Sequence, residues 1–154
     1  MPEIKTILLT TDFSDTSKIA FASARELARK FGARILLAYT EADRVPPMVI
    51  EGTAFGFEDV VKHQHDRAVE RLAEFAEANF ADFEVETLVT VGTPHAEIVR
   101  LAETNGVDLI VMATHGRGFI SHAILGSTTE RVLRRAPCPV FVVREKREQA
   151  ARSA

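Results

Sequence analysis

Cysteine is nearly absent from this chain. Cys138 is the only one among 154 residues, so an internal disulfide is excluded. Its place between Pro137 and Pro139, ahead of a predicted strand, reads as that of a small structural residue rather than a redox centre. No apolar run approaches the length of a membrane span. The N-terminal MPEIKTILLTTD has too short an apolar core for a secretory signal and enters a predicted strand directly, so the expected location is the cytoplasm. There is no basic stripe, and the formal net charge of −3 argues against a nucleic-acid partner. The chain has no Gly-Lys-Ser/Thr of a Walker loop. Gly116-Arg117-Gly118 is not a dinucleotide fingerprint either: Ser121 stands at the third glycine position, and the segment follows the fourth predicted strand, not the first. With 46% hydrophobic and 27% charged residues, the composition suits one globular domain with a sizeable core, expected over residues 1–144, and a charged tail over 145–154.

Strand and helix patterns alternate along the chain. Ile4–Thr11 reads as a first strand, apolar without alternation and therefore central. A helix follows, capped by Ser14 or Asp15, with Ala20, Ala24, Leu27, Ala28 and Phe31 on its inner face and Gly32 closing it. Ala33–Thr40 is a second strand. The stretch 41–59 has no clean period and reads as a long loop, either a lid or partner surface or a segment folded back on the core. A second helix is expected from about Val60 to Phe80, burying Ala68, Leu72, Phe75 and Ala76. Phe83–Val91 alternates, as at a sheet edge. Thr93 and Pro94 start a third helix, and Asn105-Gly106 ends it. Leu109–Ala113 is a fourth strand, Ser127–Arg135 a fourth helix and Pro139–Val143 a fifth strand. Such alternation implies an α/β fold, a doubly wound parallel sheet with helices on both faces.

Between the fourth strand and fourth helix the chain changes character. Thr114-His115-Gly116-Arg117-Gly118 is polar and glycine-rich, and Gly126-Ser127-Thr128-Thr129 opens a helix with hydroxyl groups. Free N–H groups and the positive end of a helix dipole suit an anion, above all a phosphate. Glycine lets backbone donors approach phosphate oxygens closely. A plain loop with Ser127 as helix cap is the simpler alternative.

These residues resemble the universal stress protein family, whose nucleotide-binding members carry Gly, two residues, Gly, nine residues, Gly and then Ser or Thr. Gly116 matches the second glycine, the nine residues Arg117 to Leu125 follow, and Gly126-Ser127 completes the pattern. Ala113 replaces the first glycine. Ala136-Pro137-Cys138-Pro139-Val140-Phe141-Val142-Val143 and Thr10-Thr11-Asp12-Phe13-Ser14 are also similar to the family. The resemblance implies a Rossmann-like five-stranded sheet, akin to adenine nucleotide alpha hydrolases, in the order 3-2-1-4-5. It implies ATP, with Mg²⁺, bound at the switch point between the first and fourth strands. Thr10, Thr11, Asp12 and the backbone near Tyr39, with Met112 and Ala113, would line the adenine and ribose. His115, Gly116, Arg117, Gly126, Ser127, Thr128 and Thr129 would hold the phosphates. It further implies a homodimer formed through Val140, Phe141, Val142 and Val143. The function it implies is a nucleotide-dependent switch or stress-response factor. A family member that works as a dimeric interaction protein without nucleotide is the first alternative, and an adenine-nucleotide hydrolase-like enzyme the second.

No metal or triad pattern emerges from the histidines. His63 and His65 are two apart on a helix and point to different faces. Ser127 and His115 lack a nucleophile-elbow context. No motif residue is an evident general base, so any ATP hydrolysis is expected to be slow.

Overall fold

The computed structural model of the protein describes residues 3–43, 56–114 and 125–144. The side chain of Phe57 lies outside this description. So do most of the irregular stretch after Glu41, the loop residues His115, Gly116 and Arg117, and the charged tail. The elements are β1 (Thr6–Thr10), α1 (Asp15–Phe31), β2 (Arg34–Glu41), α2 (Phe57–Phe80), β3 (Val85–Val91), α3 (Pro94–Thr104), β4 (Leu109–Ala113), α4 (Ser127–Arg135) and β5 (Val140–Val143). All neighbouring strands are parallel, and the sheet has the expected order β3-β2-β1-β4-β5.

The central strands are apolar on both faces because both faces are covered. Ile7, Leu9, Ile35, Leu37 and Val111 face α1 and α2. Leu8, Leu36, Ile110 and Met112 face α3 and α4. At the amino ends, the Asp108 carboxylate accepts the N–H groups of Lys5 and Thr6, both at 2.9 Å, and so sets β4 beside β1. Among the described residues, no helix is long and apolar enough to cross a membrane.

Several expected boundaries move. Helix α2 starts at Phe57, not Val60, within the stretch read as a loop. Its first turns are exposed, so they carry no buried stripe to reveal the helical period; Glu58 and Asp59 at the positive end of the dipole were the available signal. Phe31, expected on the inner face of α1, is 39% exposed because the helix ends there, and Phe21 fills the core instead. Gly32 closes α1 at φ 64°, the left-handed turn that glycine adopts without strain. Thr93 is the N-cap of α3 by position, but its side chain makes no cap hydrogen bond. β5 begins one residue later than expected, at Val140.

β5 is an outer edge. Ile110 N–H donates to Pro139 O and Thr114 N–H to Val143 O, each at 3.0 Å. In a parallel ladder this aims the backbone groups of Pro139, Phe141 and Val143 at β4. Those of Val140 and Val142 therefore point to the open side.

Candidate functional site

β1 is the strand at which the chain order reverses, with β2 on one side and β4 on the other. Such a reversal opens a crevice at the carboxyl ends of the strands. Leu9 stands opposite Val111, and just beyond them the chain leaves the sheet at Thr11-Asp12 and at Thr114.

A hydrogen-bonded turn fixes the β1 side. Thr11 is buried; its N–H donates to Ala38 O at 3.0 Å, and its hydroxyl accepts the Phe13 N–H at 3.0 Å. Ser17 donates its hydroxyl to Ser14 O at 2.8 Å, so in the 2.9 Å contact between the two hydroxyls Thr11 is the donor. The Asp12 carboxylate accepts both the N–H of Ser14, at 2.9 Å, and the Ser14 hydroxyl. Ser14 in turn caps α1 by accepting the Ser17 N–H at 3.1 Å. Asp12 is thereby locked in orientation at the mouth of the crevice. Phe13 absorbs the sharp turn with φ 64°, and among the described residues other than glycine it alone has a positive φ.

On the β4 side, α4 is strapped to the strand end. Thr129 is buried and donates its hydroxyl to Ala113 O at 3.1 Å, with Thr114 O at 3.4 Å. Gly126 N–H donates to Thr114 O at 2.7 Å. Gly126 is the N-cap residue, and Ser127 is the first helical residue rather than the cap. No side chain caps this helix. Glu130 N–H makes the first intrahelical bond, to Gly126 O at 3.0 Å. Ser127, Thr128 and Thr129 therefore present N–H groups that no described residue accepts. Gly126 does not add to them: its N–H, expected to point at an anion, is spent on Thr114 O.

Ala113 fits its position without strain. It ends β4 in strand geometry, is buried, and packs in the core cluster beneath α1. Gly126 is likewise at ordinary dihedrals, φ −70° and ψ 152°, which any residue adopts. If glycine is needed there, the need is space for a close neighbour and not backbone freedom.

Of the residues singled out in the sequence, Thr10, Thr11, Asp12, Met112, Ala113, Gly126, Ser127, Thr128 and Thr129 fall at these two strand ends or on the helix start beside them. The Met112 side chain belongs to the α3/α4 face and the Tyr39 ring to the α1/α2 face, so the two are not brought together. Tyr39 instead packs on Phe13, with ring centroids 4.5 Å apart. Sequence reasoning missed Ser17 and the carbonyls of Ala113 and Thr114. The Asp-Phe-Ser order, which favours an Asx turn, was the readable signal for the first; the carbonyls had none.

Three groups elsewhere are shifted, among them Arg100, which the hydrogen bond to Glu97 and then the Glu97 charge push up. His95 in α3 is held below the usual imidazole value by burial and then by Arg131 and Arg135 of α4. Burial, and after it the Asp108 carboxylate, pushes the Cys138 thiol up. His65 pairs with Glu41 at 2.8 Å, while His63 takes no part in that contact. Among the described residues there is no cluster of three or more His, Cys, Asp or Glu that could hold a metal.

The universal stress protein family model matches residues 3–144. A universal stress protein of Thermus aquaticus is 38% identical over 140 residues, covering 91% of this chain and 98% of its own length. Another, MJ0577 of Methanocaldococcus jannaschii, is 31% identical over 155 residues, covering 92% of this chain and 96% of its own. The solved structure of MJ0577 matches with a TM-score of 0.79 at 33% identity, covering 94% of this chain and 99% of that one. A universal stress protein in complex with cAMP has the same fold at a TM-score of 0.68 and 23% identity, covering 93% of this chain and 98% of its own.

Proposed function

The chain belongs to the universal stress protein family, and we propose that it is a cytoplasmic, ATP-binding switch or stress-response factor with slow or no hydrolysis. The observation that carries this reading is the uncapped start of α4, strapped to the end of β4 and opening on the crevice beside Asp12. The N–H groups of Ser127, Thr128 and Thr129 and the helix dipole would hold the phosphates. The Ser127 hydroxyl, exposed at the first helical position, would add a donor. Asp12, already oriented by Ser14, would accept a hydrogen bond from the ribose. Mg²⁺ would be held largely through the phosphate oxygens, whose charge it neutralises. Glu130, the carboxylate in the first turn of α4, is exposed and paired with Arg134 at 2.9 Å, and Asp12 is committed to Ser14, which supports slow turnover at most.

The neighbour that holds cAMP shares the fold with this chain, and the nucleotide reading rests on this chain's own residues. Mass spectrometry of small molecules released from the purified protein tests it. Adenine nucleotide at near-equimolar yield is the expected result; none, with no binding on addition of ATP and Mg²⁺, leaves a dimeric interaction protein as the function.

The same reading includes a homodimer through β5. Its open edge presents the Val140 and Val142 backbone groups, and Phe141 is 44% exposed beside them. An apolar edge of this kind pairs with a second copy across a two-fold axis.

A further inference from the structure

A second cleft, of about 670 Å³, opens on the α2 face of the sheet, between that helix and the ends of β1 and β2. Its size is that of a small-molecule site. Phe13 and Tyr39 supply aromatic surface, and α2 supplies a wall that includes Arg67 and Arg71 with Glu70 and Glu74 beside them. The Tyr39 ring belongs to this cleft, whereas its backbone is the part assigned to the nucleotide crevice.

Arg71 is prepared for a ligand. Its guanidinium carbon lies 4.1 Å from the centroid of the Phe13 ring, so the planar group is held against an aromatic surface. No ion pair among the described residues occupies its N–H donors. Three helix arginines close onto a glutamate three or four residues earlier in the chain: Arg29 on Glu26, Arg100 on Glu97 and Arg134 on Glu130. Arg67 and Arg71 instead precede Glu70 and Glu74 by three residues, the less favourable order on a helix, and neither arginine makes an ion pair among the described residues. Glu70 and Glu74 also line the cleft and, like Arg67 and Arg71, are exposed; the Glu41 carboxylate is taken by His65. Phe13, against which Arg71 rests, has φ 64°, a conformation that L residues avoid.

We propose that this cleft binds a small aromatic carboxylate, with the carboxylate forked on Arg71, supported by Arg67, and the ring against Tyr39. A guanidinium fork without an ion-pair partner suits a planar carboxylate, and an adjoining aromatic wall suits a ring. The proposal is independent of the nucleotide reading.

Tyr39 is the only tyrosine, and the chain has no tryptophan, so tyrosine emission reports this cleft directly. The full chain is titrated with 3-phenylpropionate and, separately, with phenethylamine, a similar molecule of opposite charge. Binding is read by emission and by calorimetry, with and without ATP. The expected result is saturable binding of 3-phenylpropionate, unchanged by ATP, and none of phenethylamine over the same range. Arg71→Leu is expected to weaken binding about ten- to hundredfold, with Arg71→Lys between it and wild type because the charge survives but the fork does not. Equal binding of the amine, no saturable binding, displacement by ATP, or unweakened affinity in both Arg71 variants would overturn the proposal.

Discussion

The Thr129 hydroxyl donates to the carbonyl of Ala113 at 3.1 Å, and this bond holds the start of α4 against the end of β4. The donor is buried, so its loss is not made good by water. Thr129→Val keeps the shape and removes the bond. It is expected to cost about 1–2 kcal/mol of stability, measured by urea denaturation, and to weaken ATP binding by loosening the helix start.

Ala113 stands where the family pattern has glycine, but it occupies strand geometry and its methyl group lies in the core cluster beneath α1. Ala113→Gly is therefore expected to leave ATP affinity unchanged and to lower stability by about 1 kcal/mol. Parallel calorimetric titration and thermal melting check both halves; a large gain in affinity would show that the methyl crowds the ribose.

Phe13 reverses an ordinary rule. At φ 64° an alanine is strained and a glycine is not. Phe13→Ala and Phe13→Gly both lose the ring, yet the glycine variant is expected to be the more stable by about 1 kcal/mol. Chemical denaturation of the pair reads the difference directly.

The architecture was legible in the sequence because hydrophobic period, caps and turns agreed along most of the chain. Strands β1, β2 and β4 are apolar on both faces and could only be central; β3 alternates and is an edge. The start of α2 was illegible because Glu58 to Arg67 bury little, and periodicity records burial rather than helicity. Gly126-Ser127 was legible as a helix start, but the diversion of the Gly126 N–H to Thr114 depends on where the strand end lies in space. The turn at Phe13 was hidden for a similar reason: nothing in the sequence marks a phenylalanine as left-handed.

Assembly is testable at one position. The Val142 N–H points away from β4, so Val142→Pro leaves the ladder within the sheet intact and removes a donor from the open edge. Sedimentation is expected to give a dimer for the wild type and a folded monomer for the variant. A monomeric wild type at micromolar concentration would remove β5 as a dimer interface.

His95 sets an acid-side limit. Its folded pKa is lowered, by burial first and then by Arg131 and Arg135, so the unfolded chain takes up this proton more readily. Above the ordinary histidine value of about 6.5 the group is neutral in both states and contributes nothing. As pH falls below that value the unfolded state is favoured. His95→Gln is expected to melt closer to its neutral-pH temperature at pH of about 5 than the wild type does; equal losses in the two proteins would assign the acid sensitivity to other groups.

Calorimetric titration with ATP and Mg²⁺ of the wild type and Gly126→Val tests the central claim most directly. Gly126 has dihedrals that valine adopts without strain, so the substitution adds a branched side chain at the proposed phosphate site, together with the cost of a poorer N-cap residue. The wild type is expected to bind at one site per chain, and the variant to lose binding while remaining folded, with a melting temperature without nucleotide lowered by no more than a poorer helix cap accounts for. Equal affinity in the two proteins, or no binding by the wild type at millimolar ATP, would contradict the assignment of the α4 start as a phosphate site.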